Sequence, residues 1–403
     1  MEERKNSFRW VVLILLLLNI FVVCLSINII PPLFQEIGRE IPMTKADMGV
    51  IMGVSILASL FLSLIGGGIS DRVGSRWIIG ASIIVVALSG ALRSIVGSLW
   101  SLTACMFFIG SGLAILIPNV PKVLGMWFSP QELATANGTC MLGFGLAGVI
   151  GIGTAAGILS PAFGGWRNVM VALGVFTLVI GILWMVLFKD VEIDTSNDRK
   201  EQSILENFKK VFKVKDIWWA STFYGFNMVG QMSVITLLPN SLSERGVTEA
   251  RAGVLVAIMF GVSSIFQVLG GMLSDRAGKR KPFLFVCAIV FGICIITFSA
   301  FTGIPLIIAL IIAGASLGIL IPVFMVIPVE IGEIGPPLAA TAMGLIFMIG
   351  NIGGFVGPII AGKTMDITGA HWPGFLFMGA ALIIAGFCIL PVRETGQRRK
   401  EKN

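Results

Sequence analysis

Runs of about twenty mostly apolar residues recur along this chain at short intervals, and about twenty is the length a helix needs to cross a bilayer. Charges, prolines and glycine clusters break the runs into helices expected near 10–35, 47–70, 76–97, 99–127, 131–159 and 166–188. Six more are expected near 216–241, 250–273, 282–302, 304–331, 338–364 and 372–391. Membrane-spanning strands would alternate polar and apolar residues, and these runs do not. The expected class is therefore an all-α polytopic membrane protein with twelve spans. A water-soluble core could not hide this much apolar surface: 56% of the 403 residues are hydrophobic, 49 more are glycine, and only 13% are charged. Soluble globular domains sit well below that apolar share. The same figures argue against a soluble enzyme, a nucleic-acid-binding protein, a disordered chain and a disulfide scaffold.

The first apolar run, Trp10 to Ile30, is too long for the core of a cleavable signal peptide, so it is expected to remain as a span. Cys24, Cys105, Cys140, Cys287, Cys294 and Cys388 all fall inside apolar runs and form no C-x-x-C pair. With one histidine in the chain, His371, they suit a metal site poorly and read as small buried hydrophobes. No metal and no cofactor is expected.

The positive charges set an orientation. With the N-terminus placed in the cytoplasm, 21 Lys and Arg fall on inside segments and 7 on outside ones, leaving Lys122 within a span. Cytoplasmic loops carry such an excess, so both termini are expected inside, in the inner (plasma) membrane. The net charge of +7 is thereby explained as a topology signal rather than a nucleic-acid footprint.

The halves repeat. G-G-G-I-S-D-R-V-G-S-R at 66–76 returns as G-G-M-L-S-D-R-A-G-K-R at 270–280, I-L-I-P at 115–118 returns at 319–322, and A-T-A-N-G at 134–138 returns as A-T-A-M-G at 340–344. The expected organisation is a six-helix bundle over 1–188, a central loop over 189–215 carrying thirteen charges, and a second bundle over 216–403 ending in a short basic tail. Two parallel repeats are related by an axis along the membrane normal, an arrangement that lets the halves rock about a midplane site.

At these residues the chain resembles the major facilitator superfamily. Both loops, Gly67 through Arg76 and Gly271 through Arg280, match the family's G-x-x-x-D-R-x-G-x-R pattern. The resemblance covers essentially the whole chain and implies the major facilitator fold, a single-chain monomer and secondary transport by alternating access. It also implies a charge latch between helices, assigned to Gly67, Asp71, Arg72 and Arg76 and to Gly271, Asp275, Arg276 and Arg280. The competing reading of D-R-x-G is a polar turn that follows the positive-inside bias.

Residues 117–130, Gly165-Trp166-Arg167, Gln231-Met232-Ser233 with Leu238-Pro239, and Ala91-Leu92-Arg93 resemble the cyanate-porter branch, with Leu237 where an aromatic is expected. Residues 350–358 resemble organic-anion symporters.

Polar groups within spans are costly and tend to face a cavity or a neighbouring helix. Tyr224, the single tyrosine, stands with Asn227 and Gln231 at i, i+3 and i+7 on one face of the seventh span. The resemblance places the first, fourth, seventh and tenth spans around the cavity, so this stripe is the leading substrate-binding candidate. An interhelical hydrogen-bond seam is the alternative. Asn351, Gln267, Asn28 and Asn119 follow as candidates. Lys122 reads either as an anion-attracting group, with the added option of a proton-coupled lysine, or as an interfacial one. Arg93 is a further substrate-binding candidate, with a side chain reaching back to the headgroups as the alternative.

All 22 Asp and Glu lie in loops or near span ends. A proton-driven cation exporter calls for a titratable acid at mid-membrane, so this distribution favours a small anionic solute, with a coupling proton as an open option. Efflux of hydrophobic drug-like compounds and a non-transporting solute sensor are the competing functions; an enzyme is not expected. Glycines at 143, 145, 148, 151, 153 and 157, and at 350, 353, 354 and 357, imply close helix packing.

Overall fold

The computed structural model describes residues 2–128, 132–188 and 209–395; the side chains of residues 59–61 and 63–72, among others, fall outside that description. Twelve long helices run through the described residues. We label them α1 (Glu2–Asn28), α2 (Lys45–Val73), α3 (Ser75–Leu92), α4 (Leu99–Trp127), α5 (Leu133–Thr154), α6 (Trp166–Leu187), α7 (Lys215–Glu244), α8 (Glu249–Ala277), α9 (Lys281–Thr297), α10 (Gly303–Glu330), α11 (Gly335–Thr368) and α12 (Trp372–Cys388). Among the described residues, eight stretches are long and apolar enough to cross a membrane, and α9 and α12 are shorter apolar helices. The polar stripe of α7 dilutes its hydropathy without shortening it.

Boundaries moved where backbone chemistry intervened. The expected first span over 10–35 ends at Asn28, because Pro31 and Pro32 supply no N–H to continue the ladder. A 3₁₀ turn (Pro31–Leu33) and a short helix (Phe34–Glu40) follow. The fifth span runs past 159: α5 widens into a π turn (Ala155–Leu159) and closes with Ser160–Phe163. The end of the expected central loop is helical at 209–212; residues 189–208 and the tail over 396–403 lie outside the described residues.

The contacts cluster into two compact units. One comprises residues 1–43, 50–194 and 239–257; the other comprises 44–49, 195–238 and 258–403. In the first, α3 packs on α6 and α4, and α1 packs on α5. In the second, α9 packs on α12 and α10, and α11 packs on α12. The α3/α6 and α9/α12 pairings are the same contact made once in each repeat.

Glycine allows the closest seams. Without a solvent-driven hydrophobic force, helices in lipid associate by tight packing across small residues. A Cβ at Gly143 would lie 2.8 Å from the Leu17 carbonyl oxygen of α1. In the second unit, a Cβ at Gly357 would lie 2.7 Å from Val229 Cα of α7, and one at Gly353 would collide with the Gly225 carbonyl oxygen. At Gly143, Gly353 and Gly357 the structure shows the close helix packing expected of them.

The D-R-x-G glycines have a different task. Gly74 adopts φ 91°, ψ 150° and Gly278 adopts φ 60°, each turning the chain from one span into the next. The Gly74 conformation is essentially closed to residues with a Cβ. Gly74→Ala is therefore expected to cost about 1–3 kcal/mol, read as a lowered thermal midpoint in detergent. Gly97→Ala is the control, since a Cβ there meets nothing within 4 Å.

Candidate functional site

The α7 stripe forms as its spacing requires. Asn227 is 4% and Gln231 8% exposed, and neither Asn227 Nδ2 nor Gln231 Oε1 has a hydrogen-bond partner among the described residues. A buried polar atom left unpaired costs about 1–3 kcal/mol, so these two atoms are groups in want of a ligand, a water or a moving partner. One turn away, Tyr224 stacks on Phe324 of α10 at 5.4 Å between ring centres and 7° between planes. It also packs against Phe347 of α11 at 5.3 Å. Gly350 of α11 leaves the space that the tyrosine ring fills. The second unit thus brings an aromatic group and two unsatisfied amides onto one length of α7. Phe324 and Phe347 were not legible in advance, because an aromatic within a span looks alike whether it faces lipid or protein.

In the first unit Asn119 is buried; its Nδ2 donates to the Ile115 carbonyl at 2.8 Å and its Oδ1 has no partner among the described residues. Asn19 of α1 repeats this arrangement, donating to Leu15 at 2.7 Å with Oδ1 unpartnered among the described residues. Sequence reasoning passed over Asn19, although an asparagine within an apolar run was the available signal. Asn28 is half-buried against Gly151, and Lys122, Asn351 and Gln267 are half-buried on their helices.

Arg93 departs from the headgroup reading. It is 0% exposed, and its Nη1 donates to the Ser26 carbonyl at 2.7 Å and to the Met106 sulfur at 3.7 Å. Nη2 has no partner. The α3 helix ends at Leu92 and a 3₁₀ turn carries Arg93 inward, which a straight-helix reading could not foresee.

The latch residues divide. Gly67, Asp71 and Arg72 lie among the side chains outside the described residues. Arg76 Nε donates to the Met185 carbonyl of α6 at 2.6 Å, and the Trp184 indole donates to the Arg76 carbonyl at 3.2 Å. In the second copy Arg280 is buried and makes a forked pair with Glu330 at the end of α10, Nη2 at 2.8 Å and Nε at 3.2 Å. Its Nη1 reaches Asp275 at 2.6 Å and Ser274 Oγ at 2.8 Å. The Glu330 and Asp275 carboxylates hold this guanidinium protonated more firmly than usual. Glu394 accepts from the Arg280 backbone N–H at 2.6 Å, at the start of α9. Gly271 sits on the same turn of α8, and Arg276 is exposed. Neither Glu330 nor Glu394 was foreseen as a partner, since each is separated from Arg280 by at least fifty positions.

The Gly165-Trp166-Arg167 segment is held by acids on the short helix after α1. Glu36 accepts from Trp166 N at 2.9 Å and from Ser160 Oγ at 2.7 Å. Glu40 accepts from the Trp166 indole at 3.0 Å and pairs with Arg167 at 2.7 Å. This motif braces the first unit.

A polytopic helical chain with repeated D-R-x-G turns and no acid in a span interior among its described residues has the build of a membrane transporter. The family model for the Major Facilitator Superfamily matches residues 16–240 and 223–403, and the chain belongs to that superfamily. It is a multi-pass membrane transporter and not an enzyme.

Among its relatives are proteins of Staphylococcus aureus strains JH9 and Newman, each named probable nitrate transporter NarT. Both are 24% identical, over 397 and 398 residues respectively, with 96% of each chain covered. Similar solved structures include a bacterial homolog of the human lysosomal transporter Spinster, inward-facing and occupied, with TM-score 0.80, 17% identity and coverage of 96% and 97%. A mutant of the nucleoside transporter NupG matches with TM-score 0.77, 14% identity and coverage of 94% and 98%. At these identities the structures speak for the fold alone.

Proposed function

We propose that this protein moves a small anion, of the size of nitrate, cyanate or a short monocarboxylate, across the plasma membrane by alternating access, with both termini in the cytoplasm. The observation that carries the reading is Arg93, wholly buried with no carboxylate partner among the described residues. It lies in a chain whose described Asp and Glu all stand near helix ends. Such an interior is attractive to anions and repels cations. The relatives named as probable nitrate transporters support the same charge class.

The roles follow from chemistry. Asn227 Nδ2 is a free donor suited to an anion's oxygens, Gln231 orients beside it, and Tyr224 offers a flat wall for an organic anion's body. Lys122 supplies positive charge on α4. Arg93 sets the potential within its own unit without needing to touch the solute. Asn119, Asn28, Asn351 and Gln267 are secondary polar positions. The two D-R-x-G loops act as the latch, with the halves 1–188 and 216–403 as the rocking bodies. The Tyr224–Phe324–Phe347 cluster favours a carboxylate with an apolar body over an inorganic anion.

Uptake into proteoliposomes of nitrate, cyanate, acetate and benzoate, with and without an imposed pH gradient, tests this. Asn227→Leu is expected to lower uptake efficiency of the transported anion about ten- to a hundredfold, the worth of a hydrogen bond to a charged group. A folded protein that takes up none of the four overturns the anion reading, whereas uptake of benzoate alone selects the organic class.

A further inference from the structure

We propose that residues 209–219, the turn before α7 and its first residues, form a docking surface for anionic phospholipid headgroups. Four lysines (Lys209, Lys210, Lys213, Lys215) fall within seven residues, and all four are exposed. None takes part in an ion pair with the described acids. The one acid of the segment, Asp216, is buried and lies 3.3 Å from Arg393, so it does not neutralise them.

The aromatic residues give the surface its level. Phe212, Trp218 and Trp219 are 51%, 39% and 43% exposed. Phe212 and Trp218 pack edge to face at 4.7 Å, and the Trp218 indole donates to the Phe212 carbonyl at 2.9 Å. This bond ties the helical turn at 209–212 to the start of α7. Tryptophan beside lysine is the composition of the membrane–water boundary, the rings among the headgroups and the ammonium groups just outside them.

The opposite face is apolar: Val211, Val214 and Ile217 are buried in the second unit. The segment is therefore fixed to the protein on one side and offers charge and aromatic rings on the other. That is the division expected of an interfacial helix on an anionic leaflet. Scattered solvated lysines would need neither the aromatic clasp nor the buried valines. The surface is outside the transport reading and stands whether or not the solute is an anion.

The test uses the full chain in phosphatidylcholine vesicles containing graded fractions of brominated phosphatidylglycerol or brominated phosphatidylcholine. Bromine quenches nearby tryptophan, and the difference between the parent and Trp218→Phe/Trp219→Phe isolates this site. Half-maximal quenching is expected at a mole fraction about tenfold lower for the anionic lipid, since each lysine near an anionic surface adds severalfold. Raising the salt should erode that preference. Replacing all four lysines by glutamine should abolish it, and replacing them by arginine should restore it. Equal quenching by the two lipids in the parent protein overturns the proposal without recourse to any lysine variant, and so does an undiminished preference in a folded glutamine variant.

Discussion

Gly353→Ala is expected to lower the stability of the second unit by about 3 kcal/mol, the upper end of what overpacking costs. The added methyl would run into the Gly225 carbonyl oxygen, and the Gly225 carbonyl carbon and Cα lie 2.9 and 3.2 Å from the same point. All three are main-chain atoms of α7, so no side chain can swing aside; the helices must part. Parting them would also loosen Tyr224 from its place over Gly350. Gly344 lies on the same helix, and a methyl added there would meet nothing within 4 Å, so its alanine variant isolates the cause. Gly344→Ala should hold or slightly raise the midpoint through helix propensity. Thermal unfolding of the two purified variants decides: equal midpoints would mean that the α7–α11 seam tolerates separation and that the glycines serve another purpose.

Arg280→Ala is the second large effect. Arg280 carries the forked bond to Glu330, whose side chain is 16% exposed, and the bond to Asp275, whose side chain is 66% exposed. Removing the guanidinium leaves Glu330 charged in a poorly hydrated place. Breaking a fully buried pair costs about 3–5 kcal/mol; the open Asp275 side reduces this to about 2–3 kcal/mol. Replacing both partners together, Arg280→Met with Glu330→Leu, should recover most of the midpoint, because no stranded charge remains. If the cluster is a latch as well as a brace, that stable double variant will still transport at an altered rate. Wild-type rates in it would leave a purely structural role. Arg280→Lys should fall between, since an ammonium cannot reproduce the fork.

The spans, the repeat and the glycine seams were legible because each rests on a local pattern: length of apolar run, recurrence of a string, spacing of small residues. The same logic foresaw the Tyr224, Asn227 and Gln231 face, which needs only that α7 be helical. What a helix faces was less legible. Lipid and protein interior are equally apolar, so Phe324 and Phe347 carried no mark of their contact with Tyr224. The headgroup alternative for Arg93 failed for a related reason. An arginine a few residues from a span end can reach outward for water or inward for carbonyls, and a 3₁₀ turn decided the matter. Glu330 and Glu394 were counted only among the acids in loops or near span ends. Only the three-dimensional path of the chain brings them to Arg280. Gly165-Trp166-Arg167 was legible only as a family resemblance; its bonds to Glu36 and Glu40, which make it a strut of the first unit, needed the fold.

The solitary tyrosine has a practical consequence. Its ring lies at the contact of α7, α10 and α11, stacked on Phe324 and seated over Gly350. Ring currents from two phenylalanines make the magnetic environment there steeply dependent on position. Biosynthetic incorporation of fluorotyrosine would therefore place one fluorine, at one site, in an unmutated chain. Its spectrum would need no assignment, and the number of resonances would count how many arrangements of that helix contact the protein visits during its working cycle.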